Sequence, residues 1–371
     1  MSLACLIISQ RDRSDGFGRQ PGYVAFIEAE DILARHSSAD MAMVDLGPRH
    51  PRIRARRLGG RAVRRVTNSS DPLPTALSTR STATLPRDHY DVAIFVGFTI
   101  WELPMLERMA EVRKHADHVV AWFPEVWAGE LDDQRISHES FGMLDTIFVG
   151  MEAATERLAE LVSCPVHHLP LAVDVARFAT MTPHKPRPID VLGIGRRDPE
   201  LHQALLDWSR KANKLYIYDT ISGSSVPDPD AHRGNLSDMY LRSNVAITNF
   251  AKWDLPAVVN DERELPGRIW EGLASGVYMI GQAPSIHLQE QVVGRKVVAA
   301  LPESPGEAVE SIDAAISTDQ EPLRRANVQL ALRNHDWAHR WSTVFERCGL
   351  VTPSGLQGRI EQLAGQADSL D

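Results

Sequence analysis

The chain has 371 residues, a formal net charge of -9, 43% hydrophobic and 24% charged residues, a composition that fits a soluble globular protein of about two domains. That balance excludes a chain held to nucleic acid by its overall charge, and no run approaches the roughly 18 apolar residues needed to span a bilayer. Cys5, Cys164 and Cys348 form neither a CxxC nor a zinc spacing, so they point to a reducing, cytoplasmic setting rather than a disulfide framework.

Ala4 to Ser9 is a predicted buried strand. A loop with Gly16-Phe17-Gly18 follows, and Pro21 opens a helix to about Arg35. Met41 to Leu46 is a second strand, so the order opens like a Rossmann-like unit. Arg49 to Arg65 carries eight arginines and no acid. It reads either as a solvated loop or as a surface for an anionic acceptor or anionic lipid headgroups. Asn68 to Pro86 reads as a loop. Asp91 to Phe98, His118 to Phe123, Asp145 to Gly150 and Val166 to Leu171 are predicted strands, with helices over Trp101 to Lys114 and Glu152 to Leu161. The prolines of Thr180 to Pro188 mark a linker.

The pattern then restarts. Ile189 to Ile194 is a strand, Gly195-Arg196-Arg197 leads into a helix ending near Lys211, and Leu215 to Tyr218 is a strand. Ser222 to Gly234 reads as a loop and Asn244 to Asn249 as a strand. A helix from Pro266 to Gly276 runs into a strand from Val277 to Gly281. Helices over Gly306 to Ile316, Pro322 to Leu332, Trp337 to Arg347 and Gly355 to Gln366 close the chain. Alternating strands and helices predict parallel sheets covered on both faces.

The helix from Pro266 is the stretch richest in chemistry. Its N-terminus suits a phosphate, because free N–H groups and a partial positive charge gather there. Arg268, Glu271 and Ser275 share a polar stripe beside an apolar face of Ile269 and Leu273. The plainer reading is an exposed Arg268–Glu271 ion pair on an ordinary amphipathic helix. Neither glycine loop has the third glycine of the dinucleotide fingerprint, so a nicotinamide cofactor is disfavoured. His167 and His168 fall on one predicted strand and face opposite ways, which disfavours a metal there.

Together these residues resemble GT-B glycosyltransferases, closest to glycosyltransferase family 4 and its relatives. Leu171-Ala172-Val173-Asp174-Val175-Ala176-Arg177-Phe178 is similar to the family's G-V-D-x-x-x-F stretch at the interdomain crossing. Gly195-Arg196-Arg197 stands where the family places a basic diphosphate contact. Glu264 to Gly281 is similar to its E-x-x-G…E-A-M-A-x-G-x-P-V-I block, and Asn334-His335-Asp336-Trp337 with Arg340 to its closing helix. One departure stands out. The position eight before Glu271 is Arg263, flanked by Glu262 and Glu264, so either neighbour fills the first family glutamate's place or that role is absent.

The resemblance implies an α/β chain of two Rossmann-like domains facing a cleft, with a C-terminal helix crossing back to the first. Residues 1–178, with about 350–371, would form the acceptor domain and residues 187–345 the donor domain. The implied activity is transfer of a sugar, of the retaining type, from a nucleotide diphospho-sugar to a hydroxyl acceptor without a metal or resident cofactor. Gly195, Arg196, Arg197, Tyr218, Pro266, Gly267 and Arg268 would hold the donor, with Glu271 on its ribose. Gly16, Phe17, Gly18 and Trp127 would meet the acceptor, and Glu125 and Glu264 are the candidate catalytic carboxylates. The acceptor would be anionic or lipid-linked, met at the inner membrane face through Arg49 to Arg65. A sugar-nucleotide epimerase and a non-catalytic sugar- or nucleotide-binding protein are the alternatives.

Overall fold

The computed structural model describes residues 3–12, 17–44, 85–102, 110–132, 138–182, 186–219 and 225–370. Gly16 and the arginine run at 49–65 lie outside them. Among the described residues no helix is long and apolar enough to cross a membrane.

Two compact units divide the chain. The first comprises Met1–Glu30 and Ser37–Leu169, the second Asp31–His36 and Pro170–Asp371. The first holds strands β1 (Cys5–Ser9), β2 (Asp40–Met43), β3 (Tyr90–Val96), β4 (Ala116–Phe123), β5 (Thr146–Val149) and β6 (Val166–His168). They lie in the order β2-β1-β3-β4-β5-β6, every pair parallel. Helices α1 (Val24–Ser37), α2 (Ala110–His115) and α3 (Glu152–Ala159) belong to the connections. An edge-to-face group of Phe26, Phe98 and Trp122, with centroids 5.3 and 5.7 Å apart, fills the space beside the sheet.

The second unit begins with α4 (Val175–Phe178). It continues through β7 (Ile189–Gly193), α5 (Pro199–Ala212), β8 (Tyr216–Tyr218), α6 (Pro229–Leu241), β9 (Ser243–Ile247) and α7 (Pro256–Val259). Next come α8 (Arg268–Ser275), β10 (Tyr278–Gly281), α9 (Ile286–Leu288), β11 (Val298–Ala300), α10 (Pro305–Ser317), α11 (Glu321–Asn334), α12 (Trp337–Arg347) and α13 (Ser354–Asp368). The parallel sheet has the order β11-β10-β9-β7-β8. Successive side chains leave a strand on opposite faces. Leu192, Ala246 and Met279 therefore join one core, with Trp270, Leu273 and Val328, while Val191, Val245 and Ile280 join the other, with Leu205 and Ile312. Both faces are covered, which is why the strands read as unbroken apolar runs.

Three departures from the sequence reading have physical causes. Residues expected to be a loop as far as Gly234 start α6 instead, because Asp228 caps the Ala231 N–H at 3.0 Å and Pro229 occupies the first turn. The polar stripe of α8 is buried: Glu271 is 7% exposed and Ser275 0%, because α6 and α11 pack over it. The residues of α13 fall in the second unit, against α11 and α12.

Asp336 ties that packing together. It caps α12 at the Ala338 N–H (2.9 Å), accepts the Val175 N–H (3.0 Å) and is gripped at both oxygens by Arg359 of α13 at 2.7 Å. Arg359 also reaches Asp174 at 2.6 Å. The two stretches that resemble family motifs around Asp174 and Asp336 are thus joined by one buried charge cluster.

Candidate functional site

In sheets of this topology ligands bind beyond the carboxyl ends of the strands, where the strand order reverses. In the second unit that point lies between β7 and β9. The loop after β7 turns at Gly195, whose φ of 85° is left-handed and favours glycine. A Cβ there would come within 2.0 Å of Arg268 Nη2, so the guanidinium would have to shift to admit one.

Arg268 therefore lies directly against the backbone of the Gly195 loop. It opens α8, after Pro266 and Gly267, and no carboxylate among the described residues pairs with it. The neighbouring arginines differ. Arg196 is held by both oxygens of Asp254, at 3.0 and 3.1 Å. Arg197 reaches Asp219 Oδ1 at 2.6 Å and stands 5.3 Å from the Tyr218 ring centre. The Gly195 N–H donates to the same Asp219 oxygen at 2.8 Å.

Behind this group His202 Nδ1 lies 2.9 Å from the Tyr216 hydroxyl. Burial, then the charge of Arg197, lowers the His202 pKa, and burial pushes the Tyr216 phenol up to about 12. Both are neutral near pH 7. A cavity of about 70 Å³ opens beside them, lined in part by Arg197, His202, Tyr216 and Trp253. The buried indole N–H of Trp253 has no acceptor there.

Glu271 does not pair with Arg268. Its carboxylate meets Arg233 of α6, whose guanidinium carbon sits 4.6 Å from the Phe178 ring centre. Tyr240 beside them has its pKa raised, first by burial and then by Glu271. Glu264 is 3% exposed, and its carbonyl accepts the Ala251 N–H at 3.0 Å.

In the first unit the corresponding edge lies between β1 and β3. Gln10 bridges Glu102 (2.9 Å) and the Val96 carbonyl (3.1 Å), while Ser9 and Arg11 bond Glu30 at 2.7 and 2.8 Å. A Cβ at Gly18 would lie 2.1 Å from the Arg11 carbonyl oxygen, so glycine is needed there for backbone packing. Glu125 is half-buried just past β4. Trp127 corrects the sequence reading: it is 0% exposed, so its ring belongs to the core and offers no surface to an acceptor. His89, Asp91 and Asp117 are the one cluster among the described residues that could offer three metal-ligand atoms. They lie at the starts of β3 and β4, at the opposite end of those strands from the edge between β1 and β3 in the same unit.

Among the sequence-predicted donor residues, the structure brings together Gly195, Arg197, Tyr218 and Arg268. Reading the sequence missed Asp219, Asp254 and Arg233. Asp219 left a signal, an acid ending a strand 24 residues after Gly195; the pairings of Asp254 and Arg233 left none.

No family model and no curated protein matches the sequence. Solved structures match over nearly the whole chain. An alpha-glucosyltransferase in complex with UDP-glucose and DNA containing an abasic site is 11% identical, covering 94% of this chain and 100% of its own, with a TM-score of 0.54. The Candida albicans trehalose-6-phosphate phosphatase N-terminal domain is 9% identical over 99% of this chain and 97% of its own, with a TM-score of 0.51. These likenesses speak for architecture alone, two parallel-sheet α/β units. The fold is GT-B. A UDP-forming alpha,alpha-trehalose-phosphate synthase from Burkholderia vietnamiensis extends the GT-B likeness, at 11% identity over 100% of this chain and 96% of its own, with a TM-score of 0.50.

Proposed function

We propose that the protein is a glycosyltransferase that moves a sugar from a nucleoside diphospho-sugar to a hydroxyl acceptor. The observation that carries this reading is Arg268, a cation without a carboxylate partner among the described residues, laid against the Gly195 loop at the strand-order reversal of the second unit. A half-buried guanidinium without a counter-charge favours an anionic ligand. Two proteins of similar fold carry names that describe UDP-glucose binding or UDP formation.

The chemistry asked of this site is stabilisation of the departing diphosphate. Arg268 supplies fixed charge where negative charge grows on the leaving group. The backbone N–H groups near Pro266 and Gly267 add dipoles without a bound metal. Arg197 holds Asp219 and stacks on Tyr218, and Arg196 stays on the rim with Asp254. Glu271 acts behind the site, through Arg233. In the first unit Glu125 is the carboxylate proposed to orient or deprotonate the acceptor hydroxyl. Glu264 stays a second candidate, in the family's first-glutamate region. The acceptor is proposed to be anionic or lipid-linked, on the strength of the arginine run at 49–65.

Incubating the purified protein with a panel of nucleotide sugars tests the reading. A transferase releases free nucleoside diphosphate slowly from one donor alone, and faster once an acceptor is added. Formation of a new nucleotide sugar would mean an epimerase, and binding without turnover a non-catalytic protein.

A further inference from the structure

We infer that Asp219, rather than Glu271, is the carboxylate that receives the ribose hydroxyls of the bound nucleoside diphosphate; this rests on the donor reading above. The first observation is position. Asp219 directly follows β8, the second strand in chain order of this sheet, and β8 pairs with β7. In dinucleotide-binding sheets an acid about 20 residues past the glycine turn takes the ribose diol. Here the separation from Gly195 is 24 residues.

The second observation is valence. Both bonds to Asp219, from the Gly195 N–H at 2.8 Å and from Arg197 at 2.6 Å, go to Oδ1. Among the described residues nothing binds Oδ2. An ionised carboxylate has about four acceptor positions, so a pinned group with one oxygen open is ready to accept a hydroxyl proton. Its side chain is 21% exposed.

Glu271 offers the contrast. Its side chain is 9% exposed, and its carboxylate is committed to Arg233, itself 5% exposed. Turning it toward a ribose would break this buried ion pair.

The third observation is adjacency. Gly195 presents its N–H to Asp219 and its Cα to Arg268. One residue therefore joins the proposed ribose acceptor to the proposed phosphate cation, and a nucleoside diphosphate carries ribose and phosphate next to each other in the same way.

Calorimetric titration of the full chain tests this, using UDP, GDP, ADP and CDP with the 2′-deoxy and 3′-deoxy form of whichever binds. The wild type should bind the ribonucleotide about tenfold or more tightly than at least one deoxy form, the loss expected for a hydrogen bond to a charged group. In Asp219→Ala that preference should collapse to within about twofold, while Glu271→Gln keeps it. Circular dichroism and thermal unfolding check that the variants fold. The wild-type comparison needs no variant, so equal binding of the ribo and both deoxy forms overturns the assignment. A preference that survives Asp219→Ala, or vanishes in Glu271→Gln, also overturns it, while nucleoside diphosphate binding itself leaves the donor reading standing. If no nucleoside diphosphate binds the wild type, both fall together.

Discussion

The two carboxyl-end edges share a topology and differ in electrostatic closure. Each unit reverses its strand order next to its first strand, and each places a glycine-bearing loop there. In the first unit the polar groups satisfy one another: Ser9 and Arg11 bond Glu30, and Gln10 with the backbone N–H groups of Phe98 and Thr99 bonds Glu102. In the second, Arg196 and Arg197 have carboxylate partners while Arg268 lies on the Gly195 loop without one among the described residues. Like topology does not fix like use. The first edge closes on itself through these bonds, whereas the second presents a cation with no carboxylate partner among the described residues, the feature on which the proposed anionic ligand rests.

Breaking the first edge should have the largest effect on stability. Glu30→Ala removes a fully buried carboxylate and its bonds to Ser9 and Arg11, so unfolding stability should fall by roughly 3 kcal/mol. Chemical denaturation reads this. Nucleoside diphosphate affinity, measured on the folded fraction, should be unchanged, and a large loss of affinity would blur the contrast between the edges.

The second edge should respond the other way. Arg268→Ala should weaken nucleoside diphosphate binding by about tenfold or more, since a charge-assisted contact contributes on the order of 1.5–3 kcal/mol. Its stability should change by less than about 1 kcal/mol, because no internal ion pair is lost. Gly195→Ala should weaken the same binding by pushing Arg268 aside, and it also strains a backbone at φ 85°. Normal affinity in both variants, by calorimetry, would remove the loop from the site.

The smallest effect sharpens the electrostatics. Burial and then Arg197 hold the His202 pKa below its ordinary value of 6.5. The imidazole therefore protonates only at a pH below 6.5 in the folded protein. Arg197→Gln should move its NMR titration midpoint upward, toward 6.5, since one of the two depressing causes is gone. An unmoved midpoint would mean that burial alone sets it.

Much of the architecture was legible in the residues. β1, β3, β4 and β7 are runs of Val, Ile, Leu and Ala too apolar to be anything but buried strands. Gly276 ends α8, as the sequence places the helix end, in a left-handed conformation with φ 68° that glycine adopts at little cost. β11 and α6 escaped notice, the first because three residues carry little periodicity. The second escaped because Asp228, Pro229 and Gly234 are turn formers in isolation, and only packing of Leu236 and Tyr240 into the core makes a helix of them. For the candidate site, the sequence pointed to Gly195, Arg197 and Arg268, which the structure brings together, but had no means of ranking them.

The sequence by itself determined the class of structure, two parallel α/β halves with glycine turns after their first strands, because periodicity and backbone freedom are local properties. Tertiary structure decided which charges meet. Arg268 and Glu271 are three residues apart on one helix, and spacing suggested that they pair. Instead Arg233 arrives from a distant helix and takes Glu271 into the core, Asp219 and Asp254 arrive from other loops and take Arg197 and Arg196, and Arg268 is left without a carboxylate partner among the described residues. An ion pair depends on distance through space and on local dielectric, and neither is set until the chain has packed.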